Sequence, residues 1–431
     1  MKTILKKTLT AVITLEARLA LKKYKPRIIA VTGSVGKTST KDAIYAIVSQ
    51  KYTARKSEKS YNSEIGVPLT VLGCPNAWTS PLAWFYNVLR GARLLIGTRP
   101  YPEYLVLEIG ADHPGDISRI TRWARPDIAV LTKMGSVPVH VEYFKNPEEL
   151  LDEKMALAKA LPRGGTIVVN ADDAFFMSRV GAFSQKKVLF GSSDSSDVIM
   201  RETSFVYGDR PLSPIIGQKT SLSIEGKAES FEIHGVVGEH LAYSFAAARA
   251  VAMALGITPD WAAVTRGYES PRGRMRLLRG RDQSIIIDDS YNASPVAVRE
   301  ALRTIDRVTT KGRKIAALGD MKELGDYSRE SHEDIGRFAA HIVHTLICVG
   351  SAARDMAKAA EISKLSKERI QWYQTAEEAA ESLSSVVRAG DVVLIKGSQS
   401  MRMERVVKAL LDPSVKPEDT LVRQEEEWQK R

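Results

Sequence analysis

The sequence predicts an α/β fold, with a P-loop-containing central domain built on a mostly parallel sheet and a Rossmann-like α/β domain at the C-terminal end. Two observations support this prediction. Short β-branched and aliphatic runs alternate with segments of helical character, as in parallel sheets that helices cover on both faces. The first of these runs ends in a glycine-bounded turn that leads directly into a helix. A chain of 431 residues has room for about two to three domains, each with its own core.

Composition and charge exclude several classes of protein. The chain is 44% hydrophobic and 26% charged, as globular proteins are, and no run reaches the ~18 apolar residues of a membrane span. We expect no signal peptide, because no small-residue cleavage site follows the first residues. The two cysteines, Cys74 and Cys348, lie far apart and indicate a reducing compartment, the cytoplasm. The net charge of +11 comes without a basic stripe interleaved with aromatic residues, so we expect no nucleic-acid partner.

Residues 1–25 predict a basic N-terminal helix that carries more than half of the net charge. Leu5, Leu9, Val12 and Ile13 recur at helical spacing among lysines. One interpretation is peripheral contact of residues 1–24 with the inner face of an anionic membrane. The other is a helix packed on its own domain with a solvated lysine face. The second is favoured, because Leu15 and Leu19 leave the stripe and no Trp or Phe anchors it.

The turn after the first strand predicts a phosphate-binding loop. Backbone N–H groups at the start of the following helix, together with the helix dipole, favour an anion. Gly33 and Gly36 let the backbone close around phosphate oxygens, Lys37 adds a positive charge, and the Thr38 hydroxyl can bind Mg²⁺. The spacing is shorter than in the full Walker pattern, so an ordinary βα turn is the alternative. The residues predicted to bind the nucleotide here are Gly33, Ser34, Val35, Gly36, Lys37, Thr38 and Ser39.

The next stretch supplies two candidate metal ligands. A polar loop is predicted over residues 59–70, and a buried helix over residues 81–96, with a partner or membrane contact as the alternative for that helix. The strand at 104–110 carries Glu108 at its end, as a Walker-B-like acid aimed at Mg²⁺. A further strand at 128–132 leads into a loop that bears His140. Because such sheets bind ligands at the carboxyl ends of their strands, these residues should meet at one edge.

The remaining elements complete two domains. A helix at 147–161 and a strand at 165–170 precede residues 187–233, whose alternation predicts short antiparallel strands, and a helix at 240–255 closes the central domain. The second domain starts near Arg274. Its predicted elements are a strand at 284–289, a helix at 295–307 and strands at 314–318, 345–349 and 392–395. Residues 412–431 predict a charged surface helix or a frayed tail. The predicted divisions of the chain are 1–25, 26–274, 275–411 and 412–431.

Six segments, in the same order along the chain, resemble the Mur ligase family and most of all its MurF branch. They are the phosphate loop at 32–40, NSEIGVPLT at 62–70, EIGADHPG at 108–115, DDSYNASP at 288–295, GDMKELG at 319–325 and KGSQSMRME at 396–404. The likeness spans about residues 26–410. Each segment alone is modest support, whereas six in order are strong.

The resemblance implies an ATP-dependent amide ligase of peptidoglycan precursor synthesis. Such an enzyme adds D-Ala-D-Ala to a UDP-N-acetylmuramoyl-tripeptide through an acyl phosphate and releases ADP and phosphate. The implied cofactors are ATP and Mg²⁺ at two sites, and the implied partners are a muramoyl-peptide precursor and a D-Ala-D-Ala type dipeptide. We expect a cytoplasmic monomer.

The resemblance also assigns roles to residues that look unremarkable alone. Lys154 by itself would be a solvated helix lysine, and His140 a structural histidine; the resemblance makes both of them metal ligands, with Lys154 carbamylated. The implied catalytic residues are Lys37, Glu108, His140 and Lys154, and the implied metal ligands are Thr38, Glu108, His140 and Lys154. The nucleotide would also contact Arg274, Asp289, Tyr291 and Asn292. The implied substrate-binding residues are Asn62, Ser63, Asp320, Met321 and Glu323.

Departures from the family pattern leave alternatives open. Residues 1–25 stand where the MurF branch has a separate domain that binds the UDP-sugar. Lys133 replaces an asparagine, and the segment from His240 lacks two asparagines that attend the nucleotide. One alternative is another Mur-fold ligase, similar to folylpolyglutamate synthase or cyanophycin synthetase. The other is a non-catalytic, membrane-associated nucleotide-binding protein.

Overall fold

The computed structural model describes residues 2–58, 61–78, 80–135, 140–208 and 214–429, with side chains from residue 7 to residue 428. Within these ranges, two sheets and the helices around them confirm the predicted fold class. The strands of the first sheet are β1 (Arg27–Thr32), β2 (Ala54–Lys56), β3 (Tyr104–Glu108), β4 (Ile128–Leu131), β5 (Thr166–Asn170), β6 (Lys186–Gly191), β7 (Val198–Tyr207), β8 (Ile215–Ile224) and β9 (Lys227–His234). Those of the second sheet are β10 (Arg276–Arg279), β11 (Ile285–Asp289), β12 (Lys314–Gly319), β13 (Thr345–Val349), β14 (Ile370–Tyr373) and β15 (Val392–Lys396).

Helices connect the strands and cover both sheets. Those associated with the first sheet are α1 (Lys2–Tyr24), α2 (Lys37–Val48), α3 (Gly66–Leu72), α4 (Pro81–Leu95), α5 (Asp116–Thr121), α6 (Pro147–Lys159), α7 (Ala174–Val180), α8 (Glu239–Leu255) and α9 (Trp261–Gly267). Those that follow along the chain are α10 (Pro295–Arg307), α11 (Ser328–Ala340), α12 (Ala353–Ile362), α13 (Ala376–Val386), α14 (Glu404–Leu410), α15 (Pro417–Thr420) and α16 (Glu426–Gln429). None of the described helices is both long and apolar enough to cross a bilayer.

The order of the first sheet places its ligand-binding edge beside β1. The strands run β2-β3-β1-β4-β5-β6-β7-β8-β9, and neighbours from β2 to β7 are parallel. Strands β2 and β3 lie on one side of β1 and β4 lies on the other, so the direction of winding changes there. A crevice opens at the carboxyl ends of strands at such a point. Val31 pairs with Glu108 and Thr32 pairs with Leu131, which brings the three strand ends together.

The alternation of side chains along β1 builds the core on both faces of this sheet. Ile29 and Val31 are fully buried on the face that α2 and α8 cover. Ile28 and Ala30 are buried on the opposite face, in the cluster that also contains Leu69 of α3. A strand that is covered on both faces has a continuous run of hydrophobic residues. The position of β1 could therefore be predicted from the sequence.

The antiparallel prediction for residues 187–233 is correct for most of the segment. Strands β7, β8 and β9 form an antiparallel meander at the edge of the first sheet. The prediction was wrong for β6, which pairs with β5 in parallel, and β7 and β8 have ten residues each, so they are not short. We propose a domain boundary next to the predicted division after residue 274, with Arg274 counted in the second domain. Strand β10, which begins at Arg276, belongs to the second sheet, and Arg274 lies against Tyr291 of that domain.

The second sheet is parallel apart from one edge. Its order is β10-β11-β15-β12-β13-β14, and only the β10–β11 pair among these strands is antiparallel. The loops after β11 and β15 therefore lie side by side, and both face the cleft toward the first sheet.

Two predictions about residues 59–96 were wrong. Residues 66–72 form helix α3, where a polar loop was expected; Pro68 is its third residue, where a missing N–H costs no helical hydrogen bond. Residues 59 and 60 of that loop lie outside the described residues. Helix α4 was expected to be buried, yet Asn87 and Gly91 are its only buried residues.

The N-terminal helix packs on its own domain, as the favoured interpretation expected. Ile13, Ala17 and Ala20 of α1 are buried against the first domain. The predicted stripe was partly wrong, because Val12 is exposed. The side chain of Leu5 lies outside the described residues.

The described part of the C-terminal segment is packed and contains the short helices α15 and α16. Of its two predicted forms, a charged surface helix or a frayed tail, the frayed tail was wrong. Leu421 is fully buried, and the buried Arg423 donates to Glu404 Oε2 at 2.7 Å. The Trp428 ring meets the edge of Trp78, which belongs to the first domain, with ring centroids 5.9 Å apart. The segment therefore contacts both domains.

A buried carboxyl group between α1 and α4 predicts a pH-dependent stability. Burial raises the pKa of Glu16 from 4.5 to about 7. The unfolded chain ionises this group near pH 4.5, while the folded chain keeps it protonated until about pH 7, so stability falls as the pH rises through this interval. Between pH 4.5 and pH 8, we expect the melting temperature of Glu16→Gln to fall less than that of the wild type. Circular dichroism measures both melting temperatures.

The exposed Glu361 provides the control, since Glu361→Gln should follow the wild type at every pH. Parallel curves for wild type and Glu16→Gln would show that the carboxyl group is solvated.

Candidate active site

The glycine turn after β1 orients the first turn of α2 toward the cleft. Gly36 precedes the helix with φ 85°, a left-handed conformation that favours glycine. The N–H groups of Ser34 and Val35 donate to the carbonyl oxygen of Lys133, at 2.6 and 3.3 Å, which ties the turn to the second residue after β4. Gly36, at the N-cap of α2, makes no side-chain cap hydrogen bond. The N-terminus of a helix favours an anion through its N–H groups and the helix dipole.

Helix α2 brings a hydroxyl group to the carboxylate at the end of β3. Thr38 Oγ1 donates to Glu108 Oε2 at 2.9 Å, and Asn62 Nδ2 lies 3.3 Å from Glu108 Oε1. Glu108 is 1% exposed and forms no ion pair with another described residue. A buried carboxylate without a cationic side chain in contact is costly. A bound cation would compensate this charge.

The half-buried Lys37 and the buried Lys154 converge on one backbone oxygen. Lys37 Nζ donates to the carbonyl of Gly33 at 2.8 Å, and Lys154 Nζ donates to the same oxygen at 3.2 Å. Burial lowers the pKa of Lys37. Burial, and then the positive charge of Lys37, lower the pKa of Lys154 to about 7. A substantial fraction of Lys154 is therefore a neutral amine at neutral pH.

His140 connects the two domains across the cleft. Its Nδ1 lies 2.6 Å from Glu323 Oε2 of the second domain, and its Nε2 lies 3.4 Å from Asp112 Oδ1. The hydrogen bond with His140 holds the pKa of Glu323 below its usual range. Imidazole and carboxylate groups thus meet where the domains approach each other.

The second domain contributes a cation and a buried ion pair. The Arg274 guanidinium lies 4.2 Å from the centre of the Tyr291 ring. Lys396 Nζ donates to Asp289 Oδ2 at 2.6 Å and to the Asn292 carbonyl at 2.8 Å. This pair fixes the loop after β11, because both partners are buried.

These groups surround one cleft of about 450 Å³ between the two sheets. Most of the predicted site residues line it: Ser34, Val35, Gly36, Lys37, Thr38, Ser39, Asn62, Ser63, Glu108, His140, Lys154, Arg274, Asp289, Tyr291, Asn292 and Glu323. Gly33 does not line the cleft, but its carbonyl oxygen accepts from Lys37 and Lys154, which do.

Two predicted substrate-binding residues do not line the cleft. The carboxylate of Asp320 is buried, where it accepts from the N–H of Ala353 and from Lys322 Nζ, each at 2.8 Å. Met321 is 1% exposed and packs in the core. Of the three residues predicted in this segment, Glu323 alone lines the cleft.

Sequence reasoning missed several residues of the cleft. They are Asp112, His240, Glu300 and Lys396. Asp112 and Lys396 lie inside two of the six segments that resemble the family. The sequence therefore contained information that both residues belong to the site. Nothing in the local sequence of Glu300, on helix α10, indicates that it faces the cleft.

The oxygen atoms of Glu108 and Thr38 are suitable ligands for Mg²⁺. A hydroxyl and a carboxylate oxygen are hard ligands, and protein Mg²⁺ sites commonly use one or two carboxylates together with substrate phosphates. No group of three or more His, Cys, Asp or Glu side chains that could hold a metal ion occurs among the described residues. An ion at Glu108 and Thr38 would complete its coordination with phosphate oxygens of the nucleotide and with water.

Comparisons with known proteins agree with this geometry. The Mur ligase middle domain matches residues 31–83 and 91–252, and the Mur ligase glutamate ligase domain matches residues 273–399. The UDP-N-acetylmuramoyl-tripeptide–D-alanyl-D-alanine ligase of Bacillus subtilis is 28% identical over 407 residues, which cover 94% of this chain and 80% of that protein.

Solved structures give the same result. The MurF ligase of Thermotoga maritima, in complex with ADP, has a TM-score of 0.76 at 26% identity, covering 93% of this chain and 83% of that one. A folylpolyglutamate synthase of Mycobacterium tuberculosis shares the fold, with a TM-score of 0.65 at 16% identity over 94% and 96% of the two chains. The two Mur ligase domain models match consecutive parts of the chain, and these parts lie on the two sides of the cleft. The chain therefore belongs to the Mur ligase family.

Proposed function

We propose that this chain is an ATP-dependent ligase of peptidoglycan precursor synthesis that joins D-Ala-D-Ala to a UDP-N-acetylmuramoyl-tripeptide. The observation that carries the proposal is the contact of Thr38 with the buried Glu108 beside the glycine turn. The name of the Bacillus subtilis relative supports the choice of substrates.

The proposed reaction has two steps. A carboxylate oxygen of the tripeptide attacks the γ-phosphorus of ATP, and the bond from that phosphorus to the ADP oxygen breaks, which gives an acyl phosphate. The amine nitrogen of the dipeptide then attacks the acyl carbon. The carbon–oxygen bond to phosphate breaks, the nitrogen loses a proton, and the products are the amide, ADP and phosphate.

The first step brings two anions together, and the cleft is built to reduce their repulsion. Lys37 and Arg274 would hold the phosphates from opposite domains, and the N–H groups at the start of α2 would add a third set of donors. Glu108 and Thr38 would hold one Mg²⁺, and His140 and Lys154 a second. Bound Mg²⁺ supplies charge stabilisation for the transferring phosphoryl group. Hydrogen-bond donors held in fixed positions stabilise the charge on the phosphoryl group strongly, because they need not reorganise during the reaction.

We also propose that Lys154 is carbamylated. Two lysines that share the Gly33 carbonyl repel each other when both are charged. The neutral amine of Lys154 is the form that reacts with carbon dioxide, and a carbamate would turn its positive charge into a negative one. The resulting oxygen ligands would suit the second Mg²⁺.

We propose Asn62, Ser63 and Glu323 as substrate-binding residues. They line the cleft next to Glu108 and His140. We further propose that the enzyme is a cytoplasmic monomer. The two free, buried cysteines, Cys74 and Cys348, support a reducing compartment.

Phosphate release tests the reaction. With ATP, Mg²⁺ and the muramoyl tripeptide, we expect release that depends on D-Ala-D-Ala and yields the ligated pentapeptide by mass spectrometry. Lys37→Met removes a phosphate contact and should lower the rate by about a hundredfold. Lys159→Met, an exposed lysine on α6, is the control and should retain the wild-type rate.

Two results would contradict the proposal. Release with glutamate and a folate acceptor, but not with D-Ala-D-Ala, would indicate a folylpolyglutamate-synthase-like enzyme. Nucleotide binding without release under any combination would indicate a non-catalytic protein.

Isotope labelling tests the carbamate separately. In ¹³C-bicarbonate, the wild type should show a carbamate carbon signal by NMR, because Lys154 is buried and partly neutral. Lys154→Ala should lose that signal and most of the ligase activity. A Lys154→Ala variant with full activity would remove the carbamate from the mechanism.

A further inference from the structure

Helices α1 and α4 carry most of the exposed hydrophobic side chains in the described part of the chain. Eleven large hydrophobic side chains are exposed there, and three of them are scattered over other elements. The other eight lie on α1, on α4 or directly after α4: Val12, Leu15, Leu19, Leu82, Phe85, Tyr86, Leu89 and Ile96. Single exposed hydrophobic residues are ordinary, but a group of eight on two neighbouring helices marks an interaction surface.

The spacing of these residues puts them on one face of each helix. On α4 they recur every three or four residues from Leu82 to Leu89, and on α1 they do so from Val12 to Leu19. Leu82 is 62% exposed, Phe85 57% and Ile96, the residue directly after α4, 75%. The open face therefore extends from the first turn of α4 to the residue that follows the helix.

Contacts between the helices hold the two faces together. The Glu16 carboxylate lies so close to Gly91 that a β-carbon there would come within 2.1 Å of it. Lys23 Nζ and the Tyr24 hydroxyl donate to the carbonyl of Leu94, at 3.2 and 2.8 Å, at the end of α4. The two helices therefore form one preformed surface.

The charge of this surface has a single sign. Helix α4 contains no acidic residue, and the one acid of α1, Glu16, is buried in the contact with α4. The exposed cationic residues of the described part of the two helices include Lys7, Arg18, Lys22, Arg90 and Arg93. A partner of this surface must accept hydrophobic side chains and present negative charge.

The two helices also stand apart from the rest of the fold in sequence. The match to the Mur ligase middle domain is interrupted at residues 84–90, which contain most of the open face of α4. Neither helix contributes a residue to the cleft. A contact made by these two helices is therefore independent of the proposed reaction.

We propose that α1 and α4 lie together on the surface of an anionic phospholipid bilayer. Helix α4 has 15 residues and is about 22 Å long, shorter than the ~30 Å hydrocarbon core, so it lies in the plane of the headgroups. Phe85 and Leu89 enter the boundary of the acyl chains, while Arg90 and Arg93 contact lipid phosphates. A second copy of the chain fits less well, because it would bring two cationic surfaces together.

Vesicle flotation of the full chain tests this surface. The protein should float with vesicles of equal parts phosphatidylcholine and phosphatidylglycerol, and should stay in the dense fraction with phosphatidylcholine alone. Raising the salt concentration should weaken the interaction, since the cationic residues act through screened charge.

Paired variants separate the two contributions. Phe85→Ser/Leu89→Ser and Arg90→Glu/Arg93→Glu should each lower the vesicle-bound fraction by about tenfold or more. The controls are Ile362→Ser, which is also an exposed hydrophobic residue, and Lys358→Glu/Lys408→Glu, and both should bind as the wild type does. Melting temperatures within error of the wild type show that the variants fold.

Three results would overturn the proposal. The first is a folded wild type that does not bind the anionic vesicles at low salt. The second is equal binding by the wild type and both α4 variants. The third is a dimer, seen by light scattering, that the α4 variants dissociate without any change in vesicle binding.

Discussion

The carboxylate of Glu108 is the group around which the cleft is arranged; it is buried at the end of β3, and no cationic side chain of the described residues forms an ion pair with it. The sheet order produces this position, because β1 lies between β3 and β4 and its glycine turn delivers Thr38 to the carboxylate. Buried charge of this kind destabilises a fold unless a ligand neutralises it. The destabilising charge lies where a metal ion and phosphate would bind. Destabilising features of this kind are expected at functional sites.

The second domain completes the site from the other side. The Lys396–Asp289 pair holds the loop that carries Tyr291, and Arg274 stacks on that ring at the domain boundary. The C-terminal segment contributes from outside the cleft, since Arg423 donates to the backbone carbonyls of Ser290 and Tyr291. Contacts such as His140 with Glu323 must break when the domains separate. Opening and closing of the cleft would then control access of substrate and water.

The sequence was informative where local spacing determines structure. A hydrophobic run followed by Gly33 and Gly36 located the phosphate loop, and buried strands on both sides were visible as continuous runs. Exposure of α4 was not predictable, because its composition suits a buried helix and a lipid-facing one equally. Motif segments also conceal orientation: Glu323 faces the cleft, whereas Asp320, three residues earlier, is buried. The contact of Trp428 with Trp78 joins residues far apart in the chain, which periodicity cannot reveal.

Calorimetric titration with Mg²⁺·ATP tests the central claim most directly, because that claim requires the phosphates to be held by both domains at once. Arg274→Ala should weaken binding by about tenfold, the effect of losing one charge-assisted hydrogen bond. Arg279→Ala, an exposed arginine on β10, should bind as the wild type does. An unchanged affinity in Arg274→Ala would mean that the first domain holds the nucleotide alone, and would contradict a site formed between the two domains.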